Sequence, residues 1–357
     1  MTAPVTRLTL AREQILSHRR QVGALDERLP WDTESLRRAA WAGLQDSVPR
    51  AALLSLHARV EGTQPGSWED PAFVQLWGPR FSAYVIAAED VPVFTLGRLP
   101  DPGPGRQRAE DAAASLAAHL DGRRMTYGEV GRAIGVNPNM LRYGAPTGTI
   151  LMRWDGARQP VVWTIPRPTI EPFEARLEMA RRYLHVLGPG TADTFATWAG
   201  IKTPRGHAAF EALDAKHELL PVATPVGDAF VLASDETSFD RAAATSHGSA
   251  GRSPASPVAR LLPSGDTYYL YWGRDRELVV PDPRRRADLW TSRVWPGAIL
   301  LDGEVVGTWR RANADLSIQP WRALSAAERE AVRDEAESLP LPDVRGRIVV
   351  RWEGSGR

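Results

Sequence analysis

A chain of 357 residues, 43% apolar and 24% charged, has the make-up of a soluble globular protein with room for roughly two to four compact modules. A net charge of +1 excludes a wholesale polycation, and the absence of cysteine excludes disulfides and thiolate chemistry. No run approaches the roughly 18 uninterrupted apolar residues that a membrane-spanning helix needs. Residues 1–14 lack the apolar core of a signal peptide, so a cytoplasmic protein is expected. The 7 histidines form no H-x-x-x-H or H-E-x-x-H pair, so neither zinc nor another cofactor is expected. Lys202 and Lys216 are the only lysines; the many arginines reflect either a GC-rich coding sequence or a use for forked, always-charged phosphate contacts.

In chain order, Asp32 or Thr33 caps a helix whose Leu36, Ala39, Ala40 and Leu44 recur at three and four. Residues 49–62 follow as a second helix, with Leu53, Leu56 and Val60 at helical spacing and Ser47 and Pro49 suited to its start. This helix leads into His57 and Arg59. On a helix these two point roughly 200° apart, whereas in an extended segment they share a side. If both face one ligand, the helix must end at about His57; otherwise they are two cations decorating a helix C-terminus. Residues 73–86 read as a β-hairpin with Gly78-Pro79 near its turn. Helix, helix, hairpin is the order of a winged helix-turn-helix.

The order recurs twice. After a Pro/Gly-rich break at 100–106 comes an alanine-rich helix over 110–120, then a second helix opened by a Thr126/Glu129 capping box and stopped at Gly135. Asn137-Pro138-Asn139 starts the next element, which carries Arg142 and Tyr143. A hairpin over 149–165 has Asp155-Gly156 at its tip, flanked by Arg153 and Arg158. The third copy has a helix over 174–187, short helices over 191–200 and 203–213, and alternation over 219–232 with a turn at Gly227-Asp228. Three such units in series form an internal repeat.

Residues 234–257 are small and polar and read as a linker or surface loop. Beyond them, 268–272, 278–280, 298–301 and 305–309 have the texture of strands, with Asp302-Gly303 as a tight turn. Ser325 and Glu328 form a capping box for a helix over 326–339, and 348–350 closes as a strand. The expected fold is therefore α+β: winged-helix modules over 1–105, 106–172 and 173–233, and a β-barrel-like C-terminal domain over 258–357.

From about residue 33 to residue 339 the chain resembles the bacterial winged-helix DNA glycosylases of the AlkZ/AlkX type. Four stretches carry the likeness: Leu53 to Arg59 with Trp77-Gly78-Pro79-Arg80; the MARRYLHVLGPGTADTFATWAG text within 174–200; Leu261-Leu262-Pro263, Asp266 and Gly273-Arg274-Asp275-Arg276; and LDGEVVGTWR at 301–310. The resemblance implies three tandem modules and a barrel in a C-shaped arrangement around DNA. It further implies a monomer that excises bulky N-alkylated purines from duplex DNA, with interstrand crosslinks among the substrates of some members. The family's catalytic motif is glutamine, apolar residue, glutamine, and the positions taken to match it are His57, Ala58 and Arg59. An alkylated purine is already cationic and leaves readily, so the enzyme stabilises an oxocarbenium-like sugar and places a water beside it. A neutral His57 would hold that water and Arg59 would clamp a neighbouring phosphate. A non-catalytic DNA-binding protein on the same scaffold is the competing expectation.

Further candidates for DNA contact are Arg80, beside Trp77 at a wing turn, which either meets DNA or stacks on a surface tryptophan. Arg142, Tyr143, Arg153 and Arg158 are either phosphate contacts or a solvated face. Arg284-Arg285-Arg286 is either a solvated loop or a backbone or minor-groove contact. Asp266 and Asp275 are expected to pair with Arg274 or Arg276 rather than to act in catalysis.

Overall fold

The computed structural model describes residues 8–156, 158–240, 257–342, 344 and 346–353. Its architecture is mixed α and β, with three separate sheets. The largest has six strands in the order Leu44–Gln45, Ala83–Ala87, Phe73–Trp77, Ile150–Arg153, Val161–Thr164, Met125–Thr126. The first two sequence hairpins are both present, and they join edge to edge where Gln75 pairs with Met152. The third hairpin, Leu219–Thr224 with Gly227–Leu232, stands in its own sheet and is extended by Leu8–Thr9 in parallel.

Local signals place most helix starts. Asp32 accepts the Ser35 amide at the head of Thr33–Ala39. The Thr126/Glu129 and Ser325/Glu328 capping boxes open Tyr127–Ala133 and Ala326–Glu337. The helix Ala51–His57 ends at His57, and Arg59 lies beyond it. Its start differs from expectation. Neither Ser47 nor Pro49 caps it; the buried carboxylate of Asp46 accepts the Ala52 amide at 3.0 Å while Arg50 turns the chain at φ +67°.

The C-terminal region departs from a barrel. Its five strands run Ala259–Leu262, Gly297–Leu301, Glu304–Ala312, Asp315–Pro320, Val349–Trp352, and the first and last do not pair, so the sheet is open. One face is closed instead by Ala326–Glu337 and the turn after it, through Val332, Ala336 and then Leu339, in one core with Leu261, Ile299 and Ile318. The expected turn at Asp302-Gly303 is present, with φ of +48° and +90°. Residues 268–272 and 278–280 are not strands. The first is a 3₁₀ turn, Thr267–Tyr269, with its aromatic neighbours, and the second belongs to the helix Arg276–Val279. The tyrosines are spent on packing and on hydrogen bonds to backbone carbonyls: Tyr268 to Gly303 O, Tyr269 to Pro263 O and Pro296 O, Tyr271 to Leu187 O. These aromatics lie in one continuous core with Tyr84, Phe94, Leu184, Phe195 and Trp198.

The linker expected at 234–257 is ordered over its first part. Residues 236–240 are helical, and Phe239 is fully buried and stacks on His18 at 4.0 Å. Residues 241–256 lie outside the described residues. Among the described residues no helix is long and apolar enough to cross a membrane, and no three His, Cys, Asp or Glu side chains are grouped to hold a metal.

Candidate functional site

The two residues expected to face one ligand do not. Arg59 is 2% exposed, and its guanidinium donates to both carboxylate oxygens of Asp266 at 2.8 Å, to Ser55 O at 2.8 Å and to Thr267 Oγ1 at 3.1 Å. Asp266 also accepts from Ser55 Oγ at 2.6 Å and from the Tyr268 amide. Arg59 is thus an internal tie between the first helices and the loop before Thr267–Tyr269, buried and already paired with a carboxylate rather than presented to a phosphate. The pairing expected of Asp266 with Arg274 or Arg276 is replaced by this one. Arg276 donates to Tyr271 O and lies against Trp290 and Trp295. Burial raises the Asp275 carboxyl, against the opposing charge of Arg19.

His57 lines a cleft of about 790 Å³ together with Glu27, Arg28, Arg260, Asp334 and Ser338. Its Nε2 meets Ser338 Oγ at 3.0 Å, and that hydroxyl donates onward to Glu335 O at 2.8 Å. Nε2 therefore carries the hydrogen, and Nδ1 is a lone pair without a partner. Burial, followed by the charges of Arg28 and Arg260, lowers its pKa to about 3, so the ring is neutral. The lining of the cleft is predominantly anionic, with six carboxylates against two arginines, which disfavours a phosphate backbone there.

A second arrangement meets the geometric demand that His57 and Arg59 fail. Leu44–Gln45 is an edge strand, so Gln45 and Ser47 share one side while Asp46 faces inward. Gln45 Nε2 donates to Ser47 Oγ at 2.6 Å, and Gln45 Oε1 accepts from Arg80 Nη2 at 2.6 Å and from Tyr84 OH at 3.2 Å. These donors fix which way the amide points, leaving the exposed Ser47 hydroxyl free to meet solvent. Behind the pair, Asp46 is fully buried and accepts from Gln75 Nε2 at 2.8 Å and from the Ala52 amide, with Arg50 3.7 Å away. Burial outweighs these partners and raises the Asp46 carboxyl to about 6. The signal that could have pointed to Gln45 was its place in a short extended break between two helices, where an i, i+2 pair shares a face.

Arg80 is an organiser of this site. Its Nη1 donates to Trp198 O at 2.5 Å, and its guanidinium lies 4.7 Å from the ring of Trp272, so the expected stack is made with Trp272 and not with Trp77. Arg80 and Phe81 both have positive φ, +55° and +57°, in the Gly78-Pro79 turn. Gly200, at φ +69°, packs against this turn so closely that a Cβ would sit 2.7 Å from the Arg80 nitrogen. The loop over Gln45 is equally tight, since a Cβ on Gly265 would lie 2.7 Å from its Nε2.

The second hairpin abuts the same segment. A Cβ on Gly156 at its tip would fall 2.5 Å from Pro49. Trp68 is sandwiched between the guanidinium groups of Arg50 at 3.7 Å and Arg153 at 3.8 Å, and Arg153 also pairs with Glu69. Arg158 is exposed at this tip. Arg142 is half-buried, while Tyr143 is exposed and meets Phe81 edge-on at 5.1 Å. The arginine run lies on the helix Pro283–Leu289 rather than a loop. Arg285 and Arg286 donate to Trp321 O, Val280 O and Pro281 O, and Arg284 is exposed.

The model of the family described as DNA glycosylase AlkZ-like matches residues 38–340. An interstrand DNA cross-link repair glycosylase of Streptomyces sahachiroi is 30% identical over 188 residues, which is 51% of this chain. The match spans 46% of that protein, so the chain covers about half the length of this curated relative. The solved structure of the Streptomyces sahachiroi DNA glycosylase AlkZ superimposes with a TM-score of 0.72 at 19% identity. That superposition covers 97% of this chain and 100% of the other, a likeness of fold.

Proposed function

Because the chain belongs to the AlkZ-like DNA glycosylase family, we propose that it is a monofunctional glycosylase acting on bulky N-alkylated purines in duplex DNA. Gln45 and Ser47 place the hydrolytic water. Interstrand crosslinks are proposed as part of its range, by analogy with the cross-link repair glycosylase of Streptomyces sahachiroi. The reading includes a monomer in the cytoplasm, with three winged-helix modules over 1–105, 106–172 and 173–233 and the C-terminal domain over 258–357, curved around the duplex in a C shape.

The observation that carries the assignment is the locked amide of Gln45 beside the exposed hydroxyl of Ser47, on one side of an extended segment. An N-alkylated purine leaves as a neutral base without protonation, so no strong general acid is required. A water held by the Ser47 hydroxyl and the free N–H of Gln45 adds to C1′ as the C1′–N bond breaks, and its proton passes to solvent. Arg80 does not touch the sugar in this scheme; it holds the amide in one orientation. Arg153 and Arg158 at the neighbouring hairpin tip, with Arg142, Tyr143 and Arg284 elsewhere, are proposed to meet phosphates and the duplex surface. Arg285 and Arg286, tied to backbone carbonyls, shape that surface.

A second reading keeps His57 as the water-binding base, favoured by its neutral ring and unpartnered Nδ1 in a cleft. One experiment separates the two. With a duplex carrying N7-alkylguanine, Gln45→Ala and Ser47→Ala are expected to slow base release by about a hundredfold or more with little change in duplex affinity, while His57→Ala retains release. Wild-type release from Gln45→Ala with loss in His57→Ala would transfer the assignment to His57. Duplex binding by the wild-type protein without any release would support a non-catalytic DNA binder.

A further inference from the structure

A second cleft, of about 920 Å³, opens beside the Arg80-Phe81 turn and is built differently from the others. At its inner end is Arg98, 3% exposed, which donates to Ala199 O at 3.1 Å and Trp77 O at 2.9 Å and lies 4.7 Å from the ring of Phe81. Among the described residues no carboxylate forms an ion pair with Arg98, and its hydrogen bonds run from Nε and Nη1 alone, so its Nη2 is unpartnered in a side chain that lines the cleft. Burial and the nearby charge of Arg80 lower the Arg98 pKa to about 9. A cation enclosed without a counter-charge is costly, and an anion entering the cleft would relieve that cost.

Three further observations point the same way. The helices Pro104–Leu120 and Thr203–Ala215 both begin at this cleft, and neither N-cap, Gly103 or Lys202, supplies a capping side chain. Their first-turn amides and dipoles therefore favour an anion. Arg98, Arg108, Lys202 and Arg205 line the cleft against two carboxylates. Asp101 is held by Arg176 and Arg205, and Asp111 accepts from Gln107. The lining is also aromatic and apolar: Tyr143, 39% exposed, stands edge-on to Phe81, and Met140 is 51% exposed.

We propose that this cleft binds a nucleoside phosphate unit, with the phosphate at Arg98, Lys202 and the two helix starts and the base on Tyr143 and Phe81. The unit comes either from a free nucleotide or from a nucleotide drawn out of a DNA strand, since the chemistry that recognises them is shared. The site is separate from Gln45 and Ser47, and its test needs no lesion.

Calorimetric titration of the full chain with a deoxynucleoside monophosphate, the matching nucleoside, inorganic phosphate and a single-stranded trinucleotide tests this. The monophosphate is expected to bind at least tenfold more tightly than either the nucleoside or inorganic phosphate. Lys202→Glu and Tyr143→Leu, both at exposed positions that leave folding intact, are each expected to weaken it about tenfold. A trinucleotide binding tenfold more tightly still assigns the cleft to a DNA strand, and equal affinity assigns it to free nucleotide. No saturable binding, inorganic phosphate as tight as the nucleotide, or wild-type affinity in both variants would overturn the proposal. The glycosylase reading is tested separately, by base release from Gln45→Ala and Ser47→Ala, and neither residue lines this cleft.

Discussion

Replacing Arg59 with methionine separates an internal tie from a catalytic contact. The substitution removes four hydrogen bonds and, among the described residues, leaves Asp266, 1% exposed, with the Ser55 hydroxyl and the Tyr268 amide as its donors. Removing one partner of a buried ion pair costs about 3–5 kcal/mol, because the remaining charge stays enclosed. The two surviving donors place Arg59→Met near the lower end, at about 3 kcal/mol, which is roughly a hundredfold in the folding equilibrium. Adding Asp266→Asn removes the stranded charge and should recover about half of the loss, a coupling that a double-mutant cycle measures directly. Urea unfolding followed by tryptophan fluorescence reads both quantities. Base release from an alkylated duplex, measured well below the unfolding transition, should match the wild type. Stability within 0.5 kcal/mol of wild type, with release abolished, would refute the reasoning and return Arg59 to the reaction.

Gly200→Ala forces a side chain onto the Arg80 backbone at a left-handed position and is expected to cost about 1–3 kcal/mol. Base release should fall with it, because Arg80 orients Gln45; wild-type stability and rate would contradict that link. Acid should weaken the fold through His57. Its pKa is about 3 in the folded chain and 6.5 in the unfolded one, so only the unfolded state gains a proton between those values. This stability is fully present above about pH 6.5 and is lost as pH falls, by about 3 kcal/mol at pH 4.5. His57→Gln should show that much less acid sensitivity, and parallel pH curves would rule the linkage out. Asp46 works in the opposite direction. Its carboxyl is raised from 3.8 to about 6, so stability is lost as pH rises through that interval, by up to about 3 kcal/mol. Asp46→Asn should therefore gain on the wild type between pH 4 and pH 7, and a pH-independent difference would count against this account.

What the sequence determined by itself was local. Capping boxes at Thr126 and Ser325, the Asp302-Gly303 turn and the hairpin alternations are decided within a few residues, because a side chain there competes directly for a neighbouring amide or sets a positive φ. The family was legible for a related reason, since contiguous stretches such as residues 301–310 carry the resemblance as they stand in the sequence. Tertiary structure decided the rest. The run of aromatics at 268–272 has the look of a strand, but each tyrosine hydroxyl finds a carbonyl well removed in sequence (Gly303, Pro296 and Leu187), and the chain turns to let them meet. The C-terminal strands could not announce whether their edges would close, because one face is taken by the helix Ala326–Glu337. Arg59 and Asp266 stand 207 positions apart, so nothing near either one foretells a buried pair. The same holds for Gln45, an ordinary amide in a short break until Arg80, Tyr84 and Ser47 converge on it. A side chain's role is set by what surrounds it in space, and that convergence exists only once the chain has folded.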